Sequence, residues 1–266
     1  MKLRVLDLFS GIGGFSFGLE RTGGFETVAF CEIDEHACKV LKKHWPNVPI
    51  YHDIKNFDYN GDVDVITGGF PCQDLSAAGQ RKGIIDGERS SLWGEMLRLT
   101  GKLRPRYMLA ENVSALLIGD DGRWFAELLS DLASIGYDAE WHRISAADIG
   151  AVHQRERVWI IAYPSEIGRK QSIIKTAPKR TGYMGNHNRP DREVERLISW
   201  VKGEAKECWG ISGEPMRYRG HDGVSNWMDR VARCGNSIVP QIAQYIGHNI
   251  LIDYAENYHE GRYAST

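Results

Sequence analysis

The chain has 266 residues, of which 42% are hydrophobic and 26% charged, and its formal net charge is −2. That length and apolar content suit one large domain, or a main domain with a small insert, and exclude a disordered chain or a small disulfide scaffold. A near-neutral balance carries no global signature of nucleic-acid binding, and no stretch approaches the roughly 20 apolar residues of a membrane span.

From the N-terminus, residues 3–9 (LRVLDLF) are predicted to form a strand, followed by a glycine turn and a short helix that ends at Gly23-Gly24. Here Asp7, Ser10 and several glycines interrupt the apolar residues, so no signal peptide is expected. A second strand (ETVAFCEID) and a helix (EHACKVLKKHW) stopping before Pro46 come next. Short strands are predicted near Tyr51 and at VDVITGG, then a helix through Leu92, Met96, Leu99 and Leu103 that ends before Pro105. RYMLAENV is strand-like, RWFAELLSDLASIG helical and RVWIIAY a late strand. Strands separated by helices of this length predict a parallel α/β sheet covered on both faces.

Beyond about Pro164 the periodicity fades until GNSIVPQIAQYIGHNILIDYA, whose spacing predicts a closing helix after Pro240. The expected organisation is a sheet domain of residues 1–163 and 234–266, interrupted by a small irregular region, 164–233. Between Tyr163 and Arg233 there are 14 Lys and Arg against 9 Asp and Glu, inside an otherwise acidic chain. A local polyanion contact and a merely solvated loop both fit that balance. Cysteine usage points to a reducing cytoplasm: there are five cysteines, an odd number with no C-x-x-C pair. A zinc site is not expected, nor any other metal.

Four segments carry chemistry. The turn Asp7–Phe15 (DLFSGIGGF) leaves the first strand, and a glycine turn there lets backbone approach a ligand closely. Its G-x-G-G spacing is not the dinucleotide fingerprint, which speaks against NAD but not against another adenine nucleoside. Glu32, 21 residues after Gly11, lies where an acidic residue meets ribose hydroxyls, and Asp53 follows the next strand and could accept from an adenine amine. Either carboxylate alone could be an ordinary solvated turn residue. In GGFPCQDLS, Cys72 sits in a loop after a strand and could act as a nucleophile. Glu111-Asn112-Val113 ends another strand, so a carboxyl group and a thiol converge where such sheets assemble their sites. In the last segment, His153–Arg157, strand alternation would set Arg155 and Arg157 on one face to grip an anion or a base carbonyl, or simply to pair on the surface.

In this order and spacing, DLFSGIGGF, GGFPCQDLS, ENV, RERV and GNSIVP resemble the cytosine-C5 DNA methyltransferase family, in a short branch common in bacteria and bacteriophages. The resemblance covers residues 3–162 and about 222–250. It implies a Rossmann-like S-adenosylmethionine-dependent methyltransferase sheet carrying a small target-recognition insert, with S-adenosylhomocysteine as the spent cofactor. By the same resemblance Cys72 attacks cytosine C6, Glu111 hydrogen-bonds or protonates N3, Arg157 holds O2, and Arg155 braces the Cys72 loop. Phe9, Ser10, Gly11, Gly13 and Gly14 would cradle the cofactor, with Glu32 at its ribose and Asp53 at its adenine, and Ile33 and Ile54 are also expected to bind it. Pro71 and Leu92 would line the same pocket, and Asn236 and Ser237 would close the methionine end.

The implied partner is double-stranded DNA, with a cognate restriction endonuclease where the enzyme serves a restriction–modification system. One asymmetric base-flipping site needs one subunit, so a monomer is expected. His153 stands where many relatives have Gln, and the insert lacks the family's usual closing motif. A tRNA cytosine methyltransferase, a silent DNA-binding relative and a small-molecule methyltransferase are the competing readings.

Overall fold

A computed structural model describes residues 2–71, 92–149, 154–169, 171–175 and 238–258. Seven strands form one sheet in the order β3-β2-β1-β4-β5-β7-β6. They are β1 (Leu3–Leu8), β2 (Phe25–Cys31), β3 (Ile50–Tyr51), β4 (Val65–Gly68), β5 (Tyr107–Val113), β6 (Tyr137–Ser145) and β7 (Glu156–Pro164). Helices α1 (Gly14–Glu20), α2 (Glu35–His44), α3 (Leu92–Leu103), α4 (Arg123–Ser134) and α5 (Pro240–Tyr258) complete the described elements. Among these, no helix is long and apolar enough to cross a membrane.

The predicted parallel sheet holds for β1 to β5 and needs correction at one edge. β7 runs antiparallel to β5, and β6, which the sequence pattern does not reveal, runs antiparallel to β7. β6 ends at Ser145 and β7 begins at Glu156, a connection shorter than the dozen or so residues that the crossover of a parallel pair requires.

Strand alternation divides the core into two layers. Val5, Leu109, Trp159 and Ile161 face the side covered by α1 and α5, where Phe15, Ile242 and Ile246 meet them. Leu6, Ile66, Met108 and Ile160 face the other side, under Met96 and Leu99 of α3 and Leu128 and Leu132 of α4. The closing helix α5 packs so tightly on α1 that a Cβ at Gly18 would lie 2.1 Å from the Pro240 carbonyl oxygen. Gly18→Ala is therefore expected to cost about 1–3 kcal/mol through overpacking. A calorimetric melting temperature equal to that of the unsubstituted chain would mean that the two helices separate freely.

Candidate active site

At the carboxyl ends of the parallel strands, the turn after β1 enters the left-handed region three times, at Phe9 (φ +51°), Gly11 (φ +53°) and Gly13 (φ +87°). Asp7 holds this turn from beneath. Its fully buried carboxyl accepts from Ser16 Oγ at 2.7 Å and Thr67 Oγ1 at 2.8 Å, tying β1 to α1 and β4. Burial pushes its pKa up to about 7, against the pull of those hydroxyls.

Glu32 locks the turn to the next helix. One carboxylate oxygen accepts from the Gly11 amide and the other from the Asp34 amide, both at 2.7 Å. Asp34 in turn caps α2, accepting from the amides of His36 and Ala37. Asp53 caps a 3-10 turn in the same way, accepting from the Lys55 amide at 3.0 Å and Asn56 Nδ2 at 2.6 Å. Both carboxylates retain lone pairs for a ligand, since each oxygen accepts two bonds.

A cleft of about 580 Å³ opens beside these groups. Of the expected cofactor residues, Phe9, Gly11, Glu32, Ile33, Asp53, Ile54, Pro71 and Leu92 line it. Ile33 is 75% exposed and supplies an apolar rim. A Cβ on Gly11 would meet nothing within 4 Å, so its surroundings are open to a ligand. The other three described members of the expected cradle lie outside the lining. Ser10 is buried and donates to the Asp7 carbonyl at 2.5 Å. Gly13 and Gly14 answer to packing: Cβ atoms there would lie 2.7 Å from the Trp45 ring and 2.6 Å from the Ile238 carbonyl oxygen. Asn236 and Ser237 fall outside the described residues.

Cys31, Asp34, His52, Lys55 and Gly69 also line the cleft, although the motif reading does not single them out. Burial and the neighbouring Glu32 and Asp53 push the Cys31 thiol up to about 12. Burial likewise raises the pKa of Cys38. Neither thiol is therefore suited to nucleophilic attack near neutrality. Among the described residues no group of three or more His, Cys, Asp or Glu could hold a metal ion.

The cleft reaches Glu111 through Gly69, whose Cβ position is 3.5 Å from Glu111 Oε2. The Glu111 residue is 8% exposed. Burial raises its pKa to about 7, with Arg157 and then Arg155 opposing the rise. Arg157 Nε stands 3.3 Å from Glu111 Oε1, because the antiparallel β5–β7 register pairs Val113 with Arg157 and Glu111 with Trp159. Asn112, named in the sequence only as part of the Glu111–Val113 segment, is an anchor: its Nδ2 donates to the Phe70 carbonyl at 3.2 Å, one residue before Pro71. Cys72 and His153 lie outside the described residues.

The expectation that Arg155 and Arg157 alternate within one strand needs correction. β7 begins at Glu156, and Arg155 precedes it with φ +29°, which breaks the two-residue periodicity. Burial and the adjacent Arg157 lower the pKa of Arg155, while Glu111 opposes them. Glu156 pairs with Arg143 across the strands at 2.6 Å.

The model of C-5 cytosine-specific DNA methylases matches residues 3–193. The chain belongs to that family. It is 37% identical over 164 residues to the type II methyltransferase M.Bsp6I of Bacillus sp. (strain RFL6), covering 60% of this chain and 52% of that protein. The type II methyltransferase M.Eco47II of Escherichia coli is 39% identical over 168 residues, or 61% and 40% of the two chains. This chain thus spans about half the length, or less, of those curated relatives. Among solved structures, an E. coli prophage protein assigned as a DNA modification methyltransferase superposes with a TM-score of 0.55 at 28% identity, over 67% of this chain and 51% of that one. A Spodoptera frugiperda DNMT2 variant gives 0.63 at 17% identity, over 94% and 100%, which is a likeness of fold. The Rossmann-like sheet of the methyltransferases is the fold of this C-5 cytosine methylase family member.

Proposed function

We propose that this chain methylates C5 of cytosine in a specific double-stranded DNA sequence, using S-adenosylmethionine and a covalent Cys72–C6 adduct on a flipped-out base. Glu111 carries this reading. A carboxyl group that titrates at about 7, buried beside Arg157 at the inner end of an adenosine-sized cleft, can give a proton to a ring nitrogen near neutrality.

S-adenosylmethionine supplies an electrophilic methyl group when bound. The cleft fits it: Glu32 and Asp53 offer acceptors for hydroxyls and an amine, between the apolar walls of Phe9, Ile54 and Leu92. Cytosine C5 is a weak nucleophile, so the ring has to be converted into an enamine first. Cys72 forms a bond to C6 as the ring C5–C6 double bond shifts, and proton donation from Glu111 to N3 takes up the developing charge. Arg157 holds O2 and keeps Glu111 oriented, while Arg155 braces the Cys72 loop. Once C5 carries the new methyl, loss of the C5 proton to water restores the double bond and expels the Cys72 thiolate, and N3 returns its proton to Glu111. A stacked base offers no route for this attack, hence the flipped-out cytosine. Residues 164–233, with their excess of Lys and Arg, are assigned to target recognition, and the protein acts as a monomer. A cognate restriction endonuclease fits its type II relatives.

The test is a trap. With 5-fluorocytosine in duplex DNA the final proton loss is blocked, so a denaturant-stable protein–DNA adduct should accumulate only when S-adenosylmethionine is present. Failure to trap the duplex would remove the covalent route, and methyl transfer to tRNA in preference to duplex would move the substrate to RNA.

Glu32 provides a second check. Glu32→Ala should weaken cofactor binding about tenfold or more, since a charge-assisted hydrogen bond contributes roughly 1.5–3 kcal/mol. Duplex affinity should change less. Calorimetric titration with cofactor that gave an unchanged dissociation constant would put the ribose elsewhere.

A further inference from the structure

The chain leaves β7 at Pro164 and is fastened to the core repeatedly among the described residues before 176, first where the Ser165 amide donates to the Gly136 carbonyl at 2.9 Å. Gly168 (φ +56°) turns it inward, and Arg169, with a side chain 3% exposed, pairs with Asp253 of α5. The guanidinium lies over the rings of Tyr163 and Tyr107, at 4.5 and 5.4 Å from their centroids. The other carboxylate oxygen of Asp253 accepts from Tyr107 Oη at 2.6 Å, and the oxygen facing Arg169 also accepts from Asn257 Nδ2 at 2.9 Å. Four residues on, the amides of Ile173 and Ile174 donate to the two oxygens of Glu140 on the edge strand β6, at 2.8 and 3.1 Å. Lys175 then pairs with Glu256 at 2.7 Å.

Glu256 lies in the last turn of α5, whereas Ile238, where the described chain resumes, packs on Gly14 beside the first turn. The described chain therefore breaks off at Lys175 beside the last turn of α5 and resumes at Ile238 beside its first turn, the two ends of a 19-residue helix about 28 Å long. Ile238 lies 3.3 Å from the Cβ position of Gly69, which lines the cleft, whereas Lys175 is at the other end of the helix. Arg169 is too buried to touch a phosphate or a base, and nothing in the proposed chemistry uses it.

We infer that the Arg169–Asp253 pair is the root that fixes where the chain leaves the sheet ahead of residues 176–237, making Arg169 a positioning residue for target specificity. This rests on the reading that those residues select the DNA sequence. A buried ion pair contributes little net stability compared with apolar groups of similar size, and its best-attested use is to fix one register among several. An apolar contact tolerates sliding, whereas a planar cation between two rings facing one carboxylate does not. A slip of one residue here would also withdraw Ile173 and Ile174 from Glu140. Reading bases demands that accuracy, while the chemistry at Glu111 does not depend on it.

The experiment uses the full chain, with the wild-type target first mapped by sequencing methylated cytosines in DNA of an expressing host. Arg169→Met/Asp253→Leu removes both charges at roughly constant volume, so no buried charge is left alone. Glu140→Gln, which retains one carbonyl acceptor, is the gentler variant. For both, cofactor affinity and single-turnover rate at the mapped site should stay within about threefold of wild type. Methylation at sites differing by one base pair should rise about tenfold or more, since a mismatch ordinarily costs 1–3 kcal/mol of discrimination. A folded double variant with unchanged discrimination overturns the root. Should that variant fail to fold, unchanged discrimination in Glu140→Gln overturns it instead. If wild-type protein makes no 5-methylcytosine, the functional reading fails and this inference falls with it, an outcome distinct from unaltered specificity in an active enzyme.

Discussion

Cys72→Ala should lower methyl transfer by at least about 10⁴-fold while duplex affinity stays within a few-fold, because losing a covalent nucleophile removes the step that activates the substrate. The chemistry of the other thiols sharpens this expectation. Cys31 lines the same cleft, yet burial and two neighbouring carboxylates hold its thiol at about 12, so it cannot stand in near neutrality. Cys38, also raised by burial, donates to the Glu32 carbonyl at 3.2 Å and is occupied in holding the start of α2. Pro71, directly before Cys72, lines the cleft, and Asn112 tethers Phe70 beside Glu111, so the chain enters the nucleophile loop from a fixed point. Single-turnover transfer of labelled methyl groups to duplex DNA, beside an affinity measurement, reads both quantities. Substantial turnover by the alanine variant would sink the covalent route.

The turn after β1 was legible because its glycines and the acidic residue 21 positions later form a local pattern, and Gly11 and Glu32 do meet, through a 2.7 Å hydrogen bond. The motif could not show why each glycine is there. Gly11 leaves space in the cleft, whereas Gly13 and Gly14 make room for Trp45 and Ile238, residues remote in sequence. β6 was hidden for a different reason. It is an edge strand, paired with β7, whose apolar residues Tyr137, Ala139 and Trp141 alternate with Asp138, Glu140 and His142, a two-residue signal diluted by its charged residues and by the 45% exposure of Trp141. With β6 unseen, the direction of β7 was unreadable too, since a fully buried apolar run looks alike either way. That direction matters chemically. Only the antiparallel register brings Arg157 opposite Val113 and its guanidinium to Glu111, so the ion pair was beyond reach of strand periodicity.

Glu111→Gln should lower the rate by about 10²–10⁴-fold and abolish the alkaline limb of the pH profile of kcat/KM, which reports groups of the free enzyme. The wild-type limb is expected near pH 7, where the buried carboxyl loses the proton it must give to N3. On the proposed mechanism the nucleophile attacks as a thiolate, which acts in the opposite sense, so the wild-type profile should be a bell from which glutamine removes only the basic side. Stability supplies an independent reading of the same group. A carboxyl whose pKa rises from an ordinary 4.5 to about 7 on folding binds its proton more tightly in the folded state. Its contribution is fully present below pH 4.5 and is lost as pH climbs through 7, a change of about 3 kcal/mol. Asp7, buried with a pKa of about 7, slopes the same way, so the difference between wild type and Glu111→Gln isolates Glu111. Denaturant unfolding at pH 5 and pH 8 should give a variant less sensitive to pH than the wild type. Equal pH dependence in both proteins, or an unshifted basic limb in the variant, would assign the proton near 7 to another group and leave N3 without its donor.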